Sequence, residues 1–187
     1  MEEKYNEIYK MHSLQIKMVN VRSSPVLVVF SAIPGSGKTE LTKRLERDYG
    51  FLKIANKDIR NAIEQTGHTE DVVIGSYTLW LFDKLVEHGP RSIVFDRNID
   101  QWYEPAKAWA TKNAYKFVIV RIEVAHTKLQ KRLMYREGDP EAKVFNMLDF
   151  YSDQHKKMVN EIDSTFIFKD DYDIDNAASK IAKESEP

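Results

Sequence analysis

Residues 32–39 read Ala32-Ile33-Pro34-Gly35-Ser36-Gly37-Lys38-Thr39. Gly35 and Gly37 can take backbone conformations closed to other residues, so that successive amide N–H groups converge on an anion. Lys38 adds a point charge beside them, and Thr39 offers a hydroxyl to a hard divalent cation. A helix starting here would direct its positive dipole end at the same spot. These residue types, at this spacing, suit a polyphosphate held together with magnesium.

The pattern behind this chemistry is Gly, four residues, then Gly-Lys-Ser/Thr, set after a strand and opening a helix. Ala32 stands where its first glycine would be. Alanine is small enough for close packing, but a positive φ there would cost about 1 kcal/mol or more. A chance Gly-Ser-Gly-Lys-Thr turn without a ligand is the plain alternative, and the strand before it and helix after it argue against that. Pro34, Gly35, Ser36, Gly37, Lys38 and Thr39 are therefore expected to bind ATP (or GTP), with Mg2+ as cofactor.

A second carboxylate position belongs to the same chemistry. Asp96 ends the apolar run Ile93-Val94-Phe95, where an aspartate approaches the magnesium shell through water. Thr39 and Asp96 form the expected metal pair. Arg97 follows, with no glutamate placed to activate water for hydrolysis. Asn56-Lys57-Asp58 is like the guanine-reading Asn-Lys-x-Asp, but its aspartate comes one residue early and it precedes Asp96. A GTPase is therefore excluded, and a kinase fits better.

Four segments occur in a shared order: residues 34–39, Asn56-Lys57-Asp58-Ile59-Arg60, Asp96-Arg97-Asn98 and Arg132-Leu133-Met134-Tyr135-Arg136. Over residues 26–168 the chain resembles the P-loop polynucleotide 5′-kinases, and the zeta-toxin-like predicted kinases look similar. The resemblance implies that Asp58 is the general base on the acceptor hydroxyl and that Arg60 binds the acceptor's phosphate. It also implies that Arg132 and Arg136 sit in a lid over the donor phosphates. Lys38, Asp58, Arg132 and Arg136 are then the catalytic set, and Asp58, Arg60 and Asn98 the acceptor-binding set.

The residues themselves agree with these roles without requiring them. Asp58 follows a strand, at the end of the sheet where ligands bind in open α/β folds, and a carboxylate there can accept a hydroxyl proton. It could also simply cap a helix. Arg132 and Arg136 are four apart, so their guanidinium groups project from one helix face, as arginine fingers or as a solvated charged face. Arg60 could be a solvated helix residue. Lys57 stands where the family often has a further aspartate, and residues 99–104 lack an arginine often found there. Trp102 and Tyr103 are candidates for the acceptor pocket, although core packing explains the tryptophans as well. The five histidines have no metal-ligand spacing.

The elements that must position these residues follow from periodicity. Continuous apolar runs predict buried strands at residues 25–30, 51–55, 93–95, 116–123 and 165–168. Helical spacing predicts helices at 39–49, 58–65, 71–88, 105–113 (entered from 100), 127–137 and 174–183. Asp139-Pro140-Glu141 makes a good helix start after Gly138, for a helix running to about 162. Residues 1–24 are expected to form a helical N-terminal extension, built on Tyr5, Ile8, Tyr9, His12, Leu14 and Ile16. Residues 25–187 form the kinase domain. Alternating strands and helices imply a three-layer α/β domain. By similarity to nucleoside-monophosphate kinases its five-stranded parallel sheet is expected in the order 2-3-1-4-5, with a helical lid.

Composition bounds the partners. The 187 residues are 42% hydrophobic and 30% charged, with no cysteine, so disulfides and thiolate metal sites are excluded. Net charge is −1 and the pI is about 6.5, which argues against gripping a long duplex. It leaves room for a nucleic-acid 5′ end or a small phosphorylated molecule. No apolar run approaches a membrane span, and the charged N-terminal stretch has no secretory centre, so a cytoplasmic protein with no membrane partner is expected. The leading acceptor is a polynucleotide 5′-hydroxyl, and the alternative is a hydroxyl of a sugar, nucleoside or antibiotic. A nucleotide-dependent switch without transfer is a third reading.

Overall fold

Val26, Val28 and Phe30 point into one core and Leu27 and Val29 into another, and all five are fully buried. The strand is apolar on both faces because helices cover both. The computed structural model describes all residues except 15, 17, 18, 88, 138–140 and 187; for 136, 137 and 141–143 it describes the backbone alone. Its elements run α1 (Glu2–Ser13), β1 (Val26–Ser31), α2 (Lys38–Tyr49), β2 (Leu52–Ala55), α3 (Asn56–Gln65), α4 (Ile74–Val86) and β3 (Ile93–Asn98). They continue with α5 (Tyr103–Lys112), β4 (Lys116–Glu123), α6 (His126–Glu137), α7 (Glu141–Val159), β5 (Phe166–Lys169) and α8 (Ile174–Lys183).

All pairings are parallel and the strands lie in the order β2-β3-β1-β4-β5. This is the expected architecture. On one face Leu41 and Leu45 of α2 meet Ala177, Ala178 and Ile181 of α8. On the other, Ile59 and Ile63 of α3, Leu81 and Phe82 of α4 and Trp109 of α5 cover the sheet. Helices α6 and α7 carry a small core of their own, Leu129, Leu133, Val144 and Leu148, against which Ile33 of the glycine-rich loop packs.

Several boundaries differ from the periodicity, each for a local reason. Strand β3 runs on through Asp96, Arg97 and Asn98, because Ala55 of β2 pairs with Asp96. Helix α3 begins at Asn56, two residues before Asp58. Helix α4 begins only at Ile74; Asp71 and Val72 are turned instead by amide bonds to His68 O. Of the expected helix start Asp139-Pro140-Glu141, Glu141 opens α7, while Asp139 and Pro140 lie outside the described residues. Helix α1 packs Tyr5, Ile8 and His12 into the core beside α3 and α4, while Leu14 lies past its end and is exposed.

Candidate active site

The sheet brings the ends of β1, β2 and β3 side by side, and the glycine-rich loop crosses above them. Gly35 has φ +84° and Gly37 φ +96°, both in the left-handed region that favours glycine. Gly37 is also the N-cap position of α2, where no side chain caps the first turn. The helix's first amides are thus left for an anion. Ala32 is fully buried, and the only non-glycine residues at positive φ among those described are Ala114 and Asp171. Alanine at the first glycine position therefore carries no backbone strain.

Lys38 Nζ donates to the carbonyl oxygens of Ala32 and Ile33, both at 3.0 Å, lying back along the loop. Helix α6 closes on the loop from above. A Cβ added at Gly35 would lie 3.2 Å from Leu133 Cγ, and Arg132 Nη1 donates to Gly35 O at 3.3 Å. Arg132 Nη2 is also 3.8 Å from Asp171 Oδ1 in the turn after β5.

Beneath this loop lies a cavity of about 490 Å³ whose wall includes Pro34, Gly35, Ser36, Gly37, Lys38 and Thr39. Asp96 and Asn98 of β3 and Arg60 of α3 share that wall, as does Arg132. Thr39 and Asp96 thus face one space, and Thr42 Oγ1 lies 3.5 Å from Asp96 Oδ2. Two hard oxygen donors suit magnesium, which takes few protein ligands and completes its shell with phosphates and water. Among the described residues no group of three or more His, Asp or Glu forms a cage for a metal. Asn98 Oδ1 accepts from Ala32 N at 3.3 Å and Asp100 N at 3.4 Å, tying β3 to the root of the loop.

Not every expected residue shares this wall. Asp58 is not part of the described cavity wall. Asn56 and Arg60, four apart, share the face of α3 that lines it, and Asp58, two from each, lies on the other side. There its charge acts on His12 of α1, whose burial pushes the imidazole down to about 4 while Asp58 pulls it up. No side chain caps α3, whose N-cap position is Ala55. The side chain of Arg136 lies outside the described ones. Trp102 and Tyr103 are not in the described wall either: Trp102 packs on Phe82 and Phe95, and Tyr103 on Phe117.

The wall also contains residues that sequence reasoning gave no role: Asn56, Arg97, Gln101 and Tyr151. Arg97 belongs to Asp96-Arg97-Asn98 and Asn56 to the segment 56–60, whose order along the chain marks them. Tyr151 sits on α7 with no local pattern to mark it. A smaller cavity of about 320 Å³ adjoins the other side of the loop, lined by Gly35, Gly37, Val124, Arg132, Asp171 and Tyr172. Tyr172 stacks on Phe168 with ring centroids 5.2 Å apart, and its hydroxyl is buried without a hydrogen-bond partner among the described residues. Burial pushes that phenol up to about 12, against the pull of Arg132.

Solved structures share this arrangement of strands, helices and loop. The APS kinase CysC of Mycobacterium tuberculosis, in complex with AMPPNP and APS, aligns with TM-score 0.56 and 14% identity, covering 88% of this chain and 98% of that one. This chain shares that protein's fold, with its five-stranded parallel sheet in the order β2-β3-β1-β4-β5. The tunicamycin resistance protein of Deinococcus radiodurans aligns with TM-score 0.63 and 16% identity over 86% of this chain and 95% of that one. An uncharacterized protein from Eubacterium ventriosum gives 0.59 and 17% over 86% and 97%. No family model and no curated protein matches the sequence. The likeness to these structures is one of fold, at 14–17% identity. No described helix is long and apolar enough to cross a membrane.

Proposed function

We propose that the chain is an ATP-dependent kinase that transfers the γ-phosphoryl group to a hydroxyl, with a polynucleotide 5′-hydroxyl as the leading acceptor. The observation that carries this reading is one cavity in which Gly35–Thr39, Asp96 and the arginines Arg60, Arg97 and Arg132 share a wall. Loop amides and Lys38 would hold the β- and γ-phosphates, and Lys38 would exchange its loop carbonyls for phosphate oxygens. Thr39 and Asp96 would hold magnesium, which would supply charge neutralisation. The base would lie in the smaller cavity between Arg132 and Tyr172, whose hydroxyl, without a hydrogen-bond partner among the described residues, could meet a ring nitrogen or exocyclic group.

In the transfer, the acceptor oxygen forms a bond to the γ-phosphorus as the bond to the β-bridging oxygen breaks and the nucleoside diphosphate leaves. Charge on the moving phosphoryl group is spread over its oxygens, so positioning and positive charge matter most. Arg132, and Arg136 by resemblance, would close over it. The hydroxyl proton passes to a carboxylate. Asp58 has the family resemblance in its favour; Asp96 has its place in the cavity.

A small-molecule acceptor is the second reading. It is favoured by the modest cavity, which must hold a triphosphate end and an acceptor together, and by a structural neighbour solved with APS bound. Label transfer from γ-labelled ATP to 5′-hydroxyl oligonucleotides and to a metabolite panel separates the two. Nucleotide binding with no transfer to either would leave a switch.

A further inference from the structure

A second cavity, of about 830 Å³, opens between the C-terminal ends of β4 and β5 and helices α6 and α7. None of its described wall residues belongs to the 490 Å³ cavity below the glycine-rich loop, and only Val124 is shared with the smaller one beside it. Ile33 of the loop, Ile122 of β4, Leu129 of α6 and Val159 of α7 supply its apolar wall. Space of this size suits a small organic molecule, for which pockets of roughly 300–1,000 Å³ are usual.

The charged side chains around this space balance, Glu123 and Asp170 against Lys156 and Lys169. Glu123 and Lys169 are register partners on β4 and β5. Lys156 is 77% exposed, with Asp153 3.7 Å from its amine. Asp170 Oδ2 accepts from Ala125 N at 3.2 Å and lies 3.5 Å from Lys128 Nζ. Its Oδ1 is buried with no hydrogen-bond partner among the described residues. A wall of no net charge offers an ion little to replace its hydration. The occupant it suits is uncharged.

His155 shows which polar group that occupant carries. Its ring, 12% exposed, lies on the cavity wall. Nδ1 is held by Asp100 Oδ2 at 3.0 Å, with Ser31 Oγ 3.4 Å away. Asp100 has no exposed side-chain surface, so the imidazole is fixed from behind. Nε2, on the opposite edge of the ring, has no hydrogen-bond partner among the described residues. A hydroxyl can donate to Nε2 of the neutral ring or accept from the imidazolium, so it pairs with either form. A carboxylate would pair only with the imidazolium and would share the space with Glu123 and Asp170. An ammonium would pair only with the neutral ring and would share it with Lys156 and Lys169.

We infer that this cavity is a second ligand site, for an uncharged small molecule with an apolar body and a hydroxyl group, the hydroxyl bonded to His155 Nε2. Its body would lie against Ile33, and so against the glycine-rich loop, outside the space proposed for the nucleotide. The site stands whichever acceptor the chain uses.

Naphthalene, 2-naphthol, 2-naphthoate and 2-(aminomethyl)naphthalene are the probes, titrated into the full chain at neutral pH and followed by fluorescence. 2-Naphthol should bind most tightly of the four, saturate below its solubility limit, and still bind when AMPPNP is saturating. His155→Asn keeps a donor at the Nδ1 position for Asp100 and removes Nε2. It should weaken 2-naphthol by roughly three- to ten-fold, the scale of one hydrogen bond, and leave naphthalene unchanged. Val159→Trp, at a half-buried position, should fill the cavity and weaken both by roughly ten-fold or more, since no space for a second ring system remains. That variant decides the matter if His155→Asn fails to fold. Tighter binding of either charged probe, or displacement of 2-naphthol by AMPPNP, would overturn the inference. So would an affinity for 2-naphthol that either folded variant leaves unchanged, or no saturable binding at all.

Discussion

His155 Nδ1 of α7 lies 3.0 Å from Oδ2 of Asp100, a carboxylate with no exposed side-chain surface. The other carboxylate oxygen accepts from Ser31 Oγ at 2.8 Å. Since an ionised carboxylate only accepts, His155 Nδ1 carries the donated proton. Ser31 is the last residue of β1, immediately before the glycine-rich loop. The contact thus fastens the helix that follows α6 to the root of the loop itself.

Breaking this contact should be expensive. Burial pushes the Asp100 carboxyl up, yet hydrogen bonds from His155 and Ser31 outweigh it and hold it below the usual range. A carboxyl so depressed contributes stability at pH above its unfolded value of 3.8, which is lost as the pH falls through the folded value. His155→Ala, leaving Asp100 buried with one partner fewer, should cost roughly 3–5 kcal/mol in urea unfolding near neutral pH. A cost under about 1 kcal/mol would mean that water replaces the imidazole.

The sheet was legible because β1 and β4 are apolar runs that only two-sided burial explains, and residues 116–123 and 174–183 come out with the same ends in the structure. The loop was legible because glycine, lysine and threonine at fixed spacing have few other uses. What the sequence did not reveal is helix phase: whether Asp58 or Asn56 faces the cavity depends on a helix start two residues upstream, set by the pairing of Ala55 with Asp96. Nor did it reveal partners brought together over long separations, such as Asp100 with His155 or Arg97 with Tyr151. No local pattern records that the turn after β3 meets α7.

Helix α1 carries a pH signature. His12 titrates at about 4 when buried against an unfolded value of 6.5. The unfolded chain therefore binds more protons between those values, and stability should fall as the pH drops from 6.5 toward 4 while staying level above 7. The full effect is on the order of 3 kcal/mol by the 1.36 kcal/mol that one pKa unit represents. Thermal melts of wild type and His12→Gln across this range check it: the variant should lose much of the slope. Parallel curves would show that His12 is solvated.

The two candidate carboxylates, Asp96 and Asp58, give opposite expectations. Asp96→Asn, altering a residue that faces the cavity, should cut turnover by roughly 10²-fold or more with little change in melting temperature. Asp58→Asn should cost a similar factor only if α3 turns to bring residue 58 into the cavity when substrates bind. Steady-state rates of both variants decide between them. A fully active Asp58→Asn enzyme removes that residue from the chemistry.

Arg132, which reaches both Gly35 O and Asp171, should act after the nucleotide has bound. Arg132→Ala is expected to lower kcat more than it raises the ATP dissociation constant, the mark of an interaction strongest in the transition state. Arg136→Ala should behave alike if both belong to a closing lid. Unchanged kcat in both would assign them to a solvated face.

Transfer of the γ-phosphoryl group at the glycine-rich loop is the central claim, and Lys38 tests it most directly. The measurement is label transfer from γ-labelled ATP to the best acceptor of the panel, by wild type and by Lys38→Ala, with circular dichroism on both. Wild type should label the acceptor in a magnesium-dependent way. Lys38→Ala should lose roughly 10²-fold or more of that rate, as a charge aimed at the moving phosphoryl group would, with an unchanged spectrum. A folded Lys38→Ala protein that labels the acceptor at the wild-type rate would contradict the account.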